Sequence, residues 1–193
     1  VRLIDATTAN RRNCRGVEWR VHLGLDLASM CIDTVEVTDA HGGETLCRHT
    51  TEPGDIIVAD AGYAHRKGLG SALSHGAHVI VRTNWQNLPL LEPGGKKLDI
   101  PSWLAQLRSE SAAERSALVQ TPQGAYPVRL IAGRLPTEAT DRARKLAIGK
   151  AHKNKHTIDP RTLNAAGFLI LILVTSLPAE LWPTDHILQL FRA

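Results

Sequence analysis

Asp55-Ile56-Ile57-Val58-Ala59-Asp60 is a continuous apolar run with a carboxylate at each end. A run without polar alternation marks a strand covered on both faces, and so a central strand of an α/β sheet. Working outward, residues 65–75 read as a helix weakened by Gly68 and Gly70, and His78-Val79-Ile80-Val81-Arg82 reads as a second buried strand. On the other side, Val1-Arg2-Leu3-Ile4 is a short strand ending in Asp5. Residues 19–27 alternate, with Trp19, Val21, Leu23, Leu25 and Leu27 on one face and Arg20, His22, Gly24 and Asp26 on the other. That is the period of a half-buried strand, and residues 32–38 repeat it after a short turn. A short helix fits residues 44–49.

Three strands forming an antiparallel meander, then helix, strand, helix and strand, is the order of a ribonuclease H-like α/β fold. The expectation is a mixed sheet with helices on both faces. Residues 84–165 fit that core poorly. Pro89, Pro93-Gly94-Gly95 and Pro101 break the chain, residues 126–134 alternate as a strand, and residues 137–152 read as a helix after Pro136. The division expected is a first part of the core over 1–83, a β-containing insertion over 84–165, and the last strand with the start of a further helix over 166–193. That helix begins at Thr184, a suitable N-cap, with Asp185 in its first turn.

Composition is that of a globular protein, with 43% hydrophobic and 22% charged residues. The net charge of +4 is unevenly spread. Residues 1–60 hold six Lys/Arg against ten Asp/Glu, and residues 61–193 hold seventeen against nine. An acidic part beside a basic part suits a cation site next to a polyanion-binding surface, and also suits an unevenly solvated surface. Cys14, Cys31 and Cys47 form no Cys-x-x-Cys pair, which argues against a disulfide framework or zinc site and suits a reducing cytoplasm. The longest apolar run, residues 168–174, is too short to span a bilayer. No phosphate-binding Gly-Lys-Ser/Thr loop, His-Glu-x-x-His pair or Gly-x-Ser-x-Gly elbow occurs.

Asp5 and Asp60 are the leading candidates for chemistry. Each follows an apolar run, where a carboxylate is costly without compensation. On neighbouring strands they would share one pocket and offer the hard oxygen ligands that Mg²⁺ or Mn²⁺ takes. Two capped strand ends facing solvent fit the same spacing. Arg142, Arg144, Lys145, Lys150, Lys153 and Lys155 lie in a stretch with no acid, as phosphate contacts of a DNA-binding helix or as a solvated face. Trp85 could stack on a displaced base or plug the base of the insertion.

Leu3-Ile4-Asp5-Ala6-Thr7-Thr8, Trp19-Arg20-Val21-His22-Leu23, Val35-Glu36-Val37-Thr38-Asp39, Gly42-Gly43-Glu44-Thr45-Leu46, Gly54-Asp55-Ile56-Ile57-Val58-Ala59-Asp60-Ala61-Gly62-Tyr63 and Val79-Ile80-Val81-Arg82 follow one another in order, and Thr175-Ser176-Leu177-Pro178 comes later. In that order and spacing the chain resembles the DDE-type bacterial transposases of the "insertion sequence four" type, over nearly its whole length. The resemblance implies a ribonuclease H-like core with a β-rich insertion and three acidic residues that bind Mg²⁺ or Mn²⁺. It also implies cut-and-paste DNA transposition, with Asp5 and Asp60 as the first two acids. The third would be a Glu in a Tyr-x-x-Arg-x-x-x-Glu helix, with Phe191 at the Tyr position, so that residues 1–193 read as an inactive catalytic-domain fragment. Ala61 stands where the family usually has Arg. The implied partners are transposon-end and target DNA, with a homodimer when full length and DNA-bound, no membrane, and a cytoplasmic, nucleoid-associated location. The alternatives are a ribonuclease H-like nuclease or resolvase, and a non-catalytic transposase remnant that binds DNA or a partner.

Overall fold

A computed structural model describes residues 1–10, 18–83, 86–106, 112–134, 137–153, 155–158 and 170–192. β1 (Arg2–Ala9), β2 (Trp19–Asp26) and β3 (Cys31–Asp39) form the antiparallel meander. β4 (Ile56–Ala59) and β5 (His78–Arg82) run parallel to β1. The sheet continues through β9 (Ile170–Thr175), β8 (Gly124–Arg134), β7 (Ala113–Thr121) and the two-residue β6 (Leu90–Leu91). All nine strands form one sheet in the order β3-β2-β1-β4-β5-β9-β8-β7-β6. This is a mixed α/β architecture of ribonuclease H-like type. The segment expected as an insertion supplies β6, β7 and β8, and these extend the same sheet past β9.

The central strands are apolar because both their faces are covered. Ile57, Ala59, Val79 and Val81 point into one core with Ile4, Leu46, Tyr63 and Leu130; Val58 and Ile80 point into a second with Leu171, Leu173 and Ile187. α1 (Arg66–Ser74) closes the first face through Leu69 and Ala72. Its cap is His65, whose Nδ1 accepts from the Gly68 amide at 3.1 Å. Gly76, at φ +78, turns the chain from α1 into β5 in the left-handed region that favours glycine. α2 (Ile100–Ala105) adds Ile100 and Leu104 to this core and is capped by Asp99. α3 (Thr137–Lys153) follows β8. α4 (Thr184–Arg192) covers the second face through Ile187 and Leu188.

Arg129 on β8 is 8% exposed and ties the sheet to α4. Its Nε and Nη2 donate to the two carboxylate oxygens of Glu114, and its Nη1 donates to the carbonyls of Leu177 and Trp182. A buried guanidinium is tolerated because its donors are met. Thr184 donates its hydroxyl to Glu114, so its role lies in this network.

Three local expectations change. The short helix at 44–49 is a single 3-10 turn, Leu46–Arg48. β1 does not end at Asp5 but runs on to Ala9, so Asp5 sits within a strand and pairs with Leu23. The faces of β2 are inverted relative to its polarity: His22 is fully buried, while Trp19 is 52% exposed. The segment linking β3 to β4 crosses the polar face and seats Leu46 and His49 there. On the opposite face α4 packs over the central strands, and Ile32, Val35 and Val37 of β3 remain exposed.

Candidate functional site

Three charged residues line up across β1, β4 and β5. The Cα partners of β1 and β4 include Leu3 with Val58 and Ile4 with Ala59, which brings Asp5 level with Asp60 one step further along. Ile4 and Ala6 both face the first core, so Asp5 between them faces the other side. Ala59 also faces the first core, and Asp60 follows it with extended backbone, φ −80 and ψ 178, which turns Asp60 to the same side as Asp5. The same reasoning holds on β5, where Val81 pairs with Ala59 and Arg82 comes next. Arg82 donates from Nη1 to Asp60 Oδ1 at 3.4 Å.

This row lies at the carboxyl ends of the parallel strands β4 and β5, where ligands of open α/β sheets bind, with Asp5 level with them inside β1. It is an open shelf, with the side chains of Arg82 and Asp60 46% and 59% exposed. Asp5 Oδ1 accepts from the Ala6 amide at 2.8 Å. Asp60 is followed by a 3-10 turn, Ala61–Tyr63, closed by the Tyr63 amide on the Asp60 carbonyl at 3.1 Å. Tyr63 is fully buried and anchors that turn in the first core. Burial pushes its hydroxyl pKa upward, helped by the negative charges of Glu44 and Asp5.

Asp5 and Asp60 offer two hard oxygen donors that suit a small divalent cation. Among the described residues no group of three or more His, Cys, Asp or Glu side chains is placed to hold a metal. The donor set is therefore of the right chemistry but partial.

The basic segment is helical over Thr137–Lys153. Thr140 is buried and Ala143, Arg144, Ala147 and Ala151 are half-buried, which defines one side at about 3.6 residues per turn. Arg142, Lys145 and Lys153 are exposed on the opposite side. Arg144 is half-buried on the inner side, and the Lys150 side chain lies outside the description. Lys155 is exposed just beyond the helix, at φ 55. Trp85 falls outside the described residues. β8 is antiparallel to β9, which is antiparallel to β5, so β8 and β5 end at the same edge of the sheet. α3 thus leaves the sheet at the end that carries Asp5, Asp60 and Arg82.

Sequence reasoning missed Arg82 as a site residue, although its position directly after Val79-Ile80-Val81 matches that of Asp60 after Val58-Ala59. It also missed the buried imidazoles of His22 and His49, whose surroundings only the β3–β4 crossing reveals.

No known family profile matches the chain. It is 28% identical over 198 aligned residues to the transposase for insertion sequence element IS421 of Escherichia coli. The same identity relates it to the proteins named as transposase InsL for insertion sequence elements IS186A and IS186B of Escherichia coli strain K12. Each alignment covers 100% of this chain and 53% of the relative. The chain spans about half the length of the curated relatives it matches. Among the described residues no helix is long and apolar enough to cross a membrane.

Proposed function

We propose that the chain forms the core of an insertion-sequence transposase that performs metal-dependent phosphoryl transfer on DNA. The observation that supports this best is the row of Asp5, Asp60 and Arg82 on one face, with Asp5 inside β1 level with the carboxyl ends of the parallel strands β4 and β5. Similarity to transposases along the whole chain supports the choice of DNA as substrate.

Asp5 and Asp60 would hold Mg²⁺ or Mn²⁺. Such a cation supplies charge stabilisation at the attacking and leaving oxygens of a phosphodiester. Arg82 lies beside Asp60 and provides a cation for a non-bridging phosphate oxygen. The outer side of α3 holds the flanking duplex through its phosphates, which gives affinity without sequence preference. The reaction is in two stages. Water attacks phosphorus, the bond to the 3′ oxygen breaks, and that oxygen leaves as a 3′ hydroxyl. This hydroxyl then attacks a phosphodiester of the target, loses its proton, and displaces the target's own 3′ oxygen, which leaves as a hydroxyl. Positioning and electrostatics carry nearly all of such chemistry.

A second reading is favoured by one observation: the described residues bring two, not three, metal-ligating side chains together. In that reading the chain binds DNA without cutting it. A cleavage assay on terminal-repeat DNA in Mg²⁺, with the D5N and D60N variants, separates the two. The first reading expects Asp5- and Asp60-dependent cleavage in a chain of the relatives' length. DNA binding that is intact in both variants, with no metal-dependent cleavage in any of them, selects the second.

A further inference from the structure

The turn that carries Asp60 is clamped from outside its own strand. A Cβ built on Gly62 would lie 1.4 Å from Glu44 Oε2 and 2.7 Å from its Cδ, so the Glu44 carboxylate rests directly on the Gly62 backbone. Its other oxygen, Oε1, is 3.9 Å from Arg20 Nη1. The Glu44 carbonyl accepts from His65 Nε2 at 3.0 Å, while His65 Nδ1 accepts from the Gly68 amide. That pair of bonds assigns the proton of His65 to Nε2. A Cβ on Gly68 would lie 3.1 Å from the Leu46 amide nitrogen, so the chain at 44–46 lies close over both the 61–63 turn and the first turn of α1. Asp60 itself is open to solvent, and so is its neighbour Arg82. The placement of Asp60 then depends on the turn behind it, fixed by the buried Tyr63 on one side and by Glu44 on the other.

We infer that Glu44 is a positioning residue for Asp60. Its carboxylate holds the Ala61–Tyr63 turn at Gly62, and its carbonyl holds the same turn's exit through His65. This rests on Asp60 being a functional carboxylate, as proposed above. Gly62 is not at positive φ, so alanine there brings no backbone strain. What a methyl group at Gly62 must do is push the Glu44 carboxylate aside, away from Arg20. E44A and G62A should therefore remove the same contact by two routes.

The test is a double-mutant cycle read at Asp60. The carboxyl ¹³C resonance of Asp60, assigned with D60N, is followed through its titration and through addition of Mg²⁺. E44A and G62A should each shift the resonance and weaken the Mg²⁺ response on the order of tenfold, as loss of an outer-shell partner of a metal ligand does. The E44A/G62A double variant should be no worse than either single one. E44Q, which keeps the packing on Gly62, should stay close to the parent. Unchanged Asp60 resonances in E44A and G62A would overturn the inference. So would additive effects in the double variant, or an E44Q variant as impaired as E44A. If Mg²⁺ leaves the parent's Asp60 untouched, the metal reading fails, and the coupling of Glu44 and Gly62 at the Asp60 resonance still decides the role of Glu44.

Discussion

Arg82 Nη1 stands 3.4 Å from Asp60 Oδ1, at the level where β5 and β4 leave the sheet together. Both side chains are about half exposed, so water screens the pair and its contribution to stability is small. A guanidinium kept beside Asp60 on an open shelf is better explained by what it meets there. R82A should leave the thermal midpoint nearly unchanged and lower the salt slope of log DNA affinity by roughly one unit, the signature of one lost phosphate contact. R82K should retain part of the affinity, since it keeps the charge but loses the planar fork. Equal slopes for parent and R82A, measured by fluorescence anisotropy between low and moderate salt, would remove Arg82 from the DNA surface.

His49 makes the stability of the fold sensitive to acid. It is 5% exposed, and neither ring nitrogen has a hydrogen-bond partner among the described residues. Burial first, and then the nearby charge of Arg2, lower its pKa from 6.5 to about 4. His22 is shifted downward too, first by burial and then by Arg48. Above pH 6.5 His49 is neutral in both states and stability is unaffected. Between 6.5 and 4 the unfolded chain takes up a proton that the folded chain refuses, so stability falls as pH falls, by up to about 3 kcal/mol. The carboxylates of Asp33 and Glu114, held low by Arg2 and Arg129, contribute stability above the ordinary carboxylate range and lose it as pH falls through that range and below. Urea denaturation at pH 7.0, 5.5 and 4.5 should show the loss, and H49Q should flatten it. A parent protein equally stable at pH 7.0 and 4.5 would exclude this account.

The two faces of the β2–β3 hairpin show how far sequence carries and where it stops. The apolar runs at 56–59 and 78–82 were legible because both faces of a central strand are buried and every side chain reports the same thing. The period of β2 was legible as well. Its orientation was not, because polarity usually points outward and here the polar face is closed by a distant segment. Gly24 shows the pressure on that face: a Cβ there would lie 2.5 Å from Asp33 Oδ1, and the other oxygen of that carboxylate is held by Arg2 Nε. β7 was missed for a related reason. Its inward positions are Ala117, Val119 and Thr121, a mixture with little contrast to its outward neighbours. Asp5 was legible as a candidate only through its apolar prefix, and its mid-strand position required the register with β2. The inverted faces give a direct test. V35K and V37K should each change stability by less than about 0.5 kcal/mol, as exposed substitutions do, while G24A should cost more than either. Chemical denaturation that finds V35K worse than G24A would mean that the apolar face is the closed one.

The outer side of α3 is the last element whose role a measurement can fix. Arg142, Lys145 and Lys153 share the exposed side of the helix, opposite Thr140, Ala143, Ala147 and Ala151. No acid lies between residues 142 and 155, while Glu138 and Asp141 precede Arg142 and Lys145 by one helical turn. The helix also leaves the sheet at the edge that carries Asp5 and Asp60, so a duplex lying across the carboxylates has a cationic partner at that edge. Replacing the three with Gln should leave the fold intact, since their side chains stand in solvent and glutamine is a good helix former. DNA affinity should drop at low salt, and the salt slope should fall by about one unit for each true phosphate contact removed. Because these contacts go to phosphates, the loss should be equal for terminal-repeat and unrelated DNA. A triple variant with unchanged affinity and slope would make α3 a solvated helix. A loss confined to one DNA sequence would point instead to base readout by this helix.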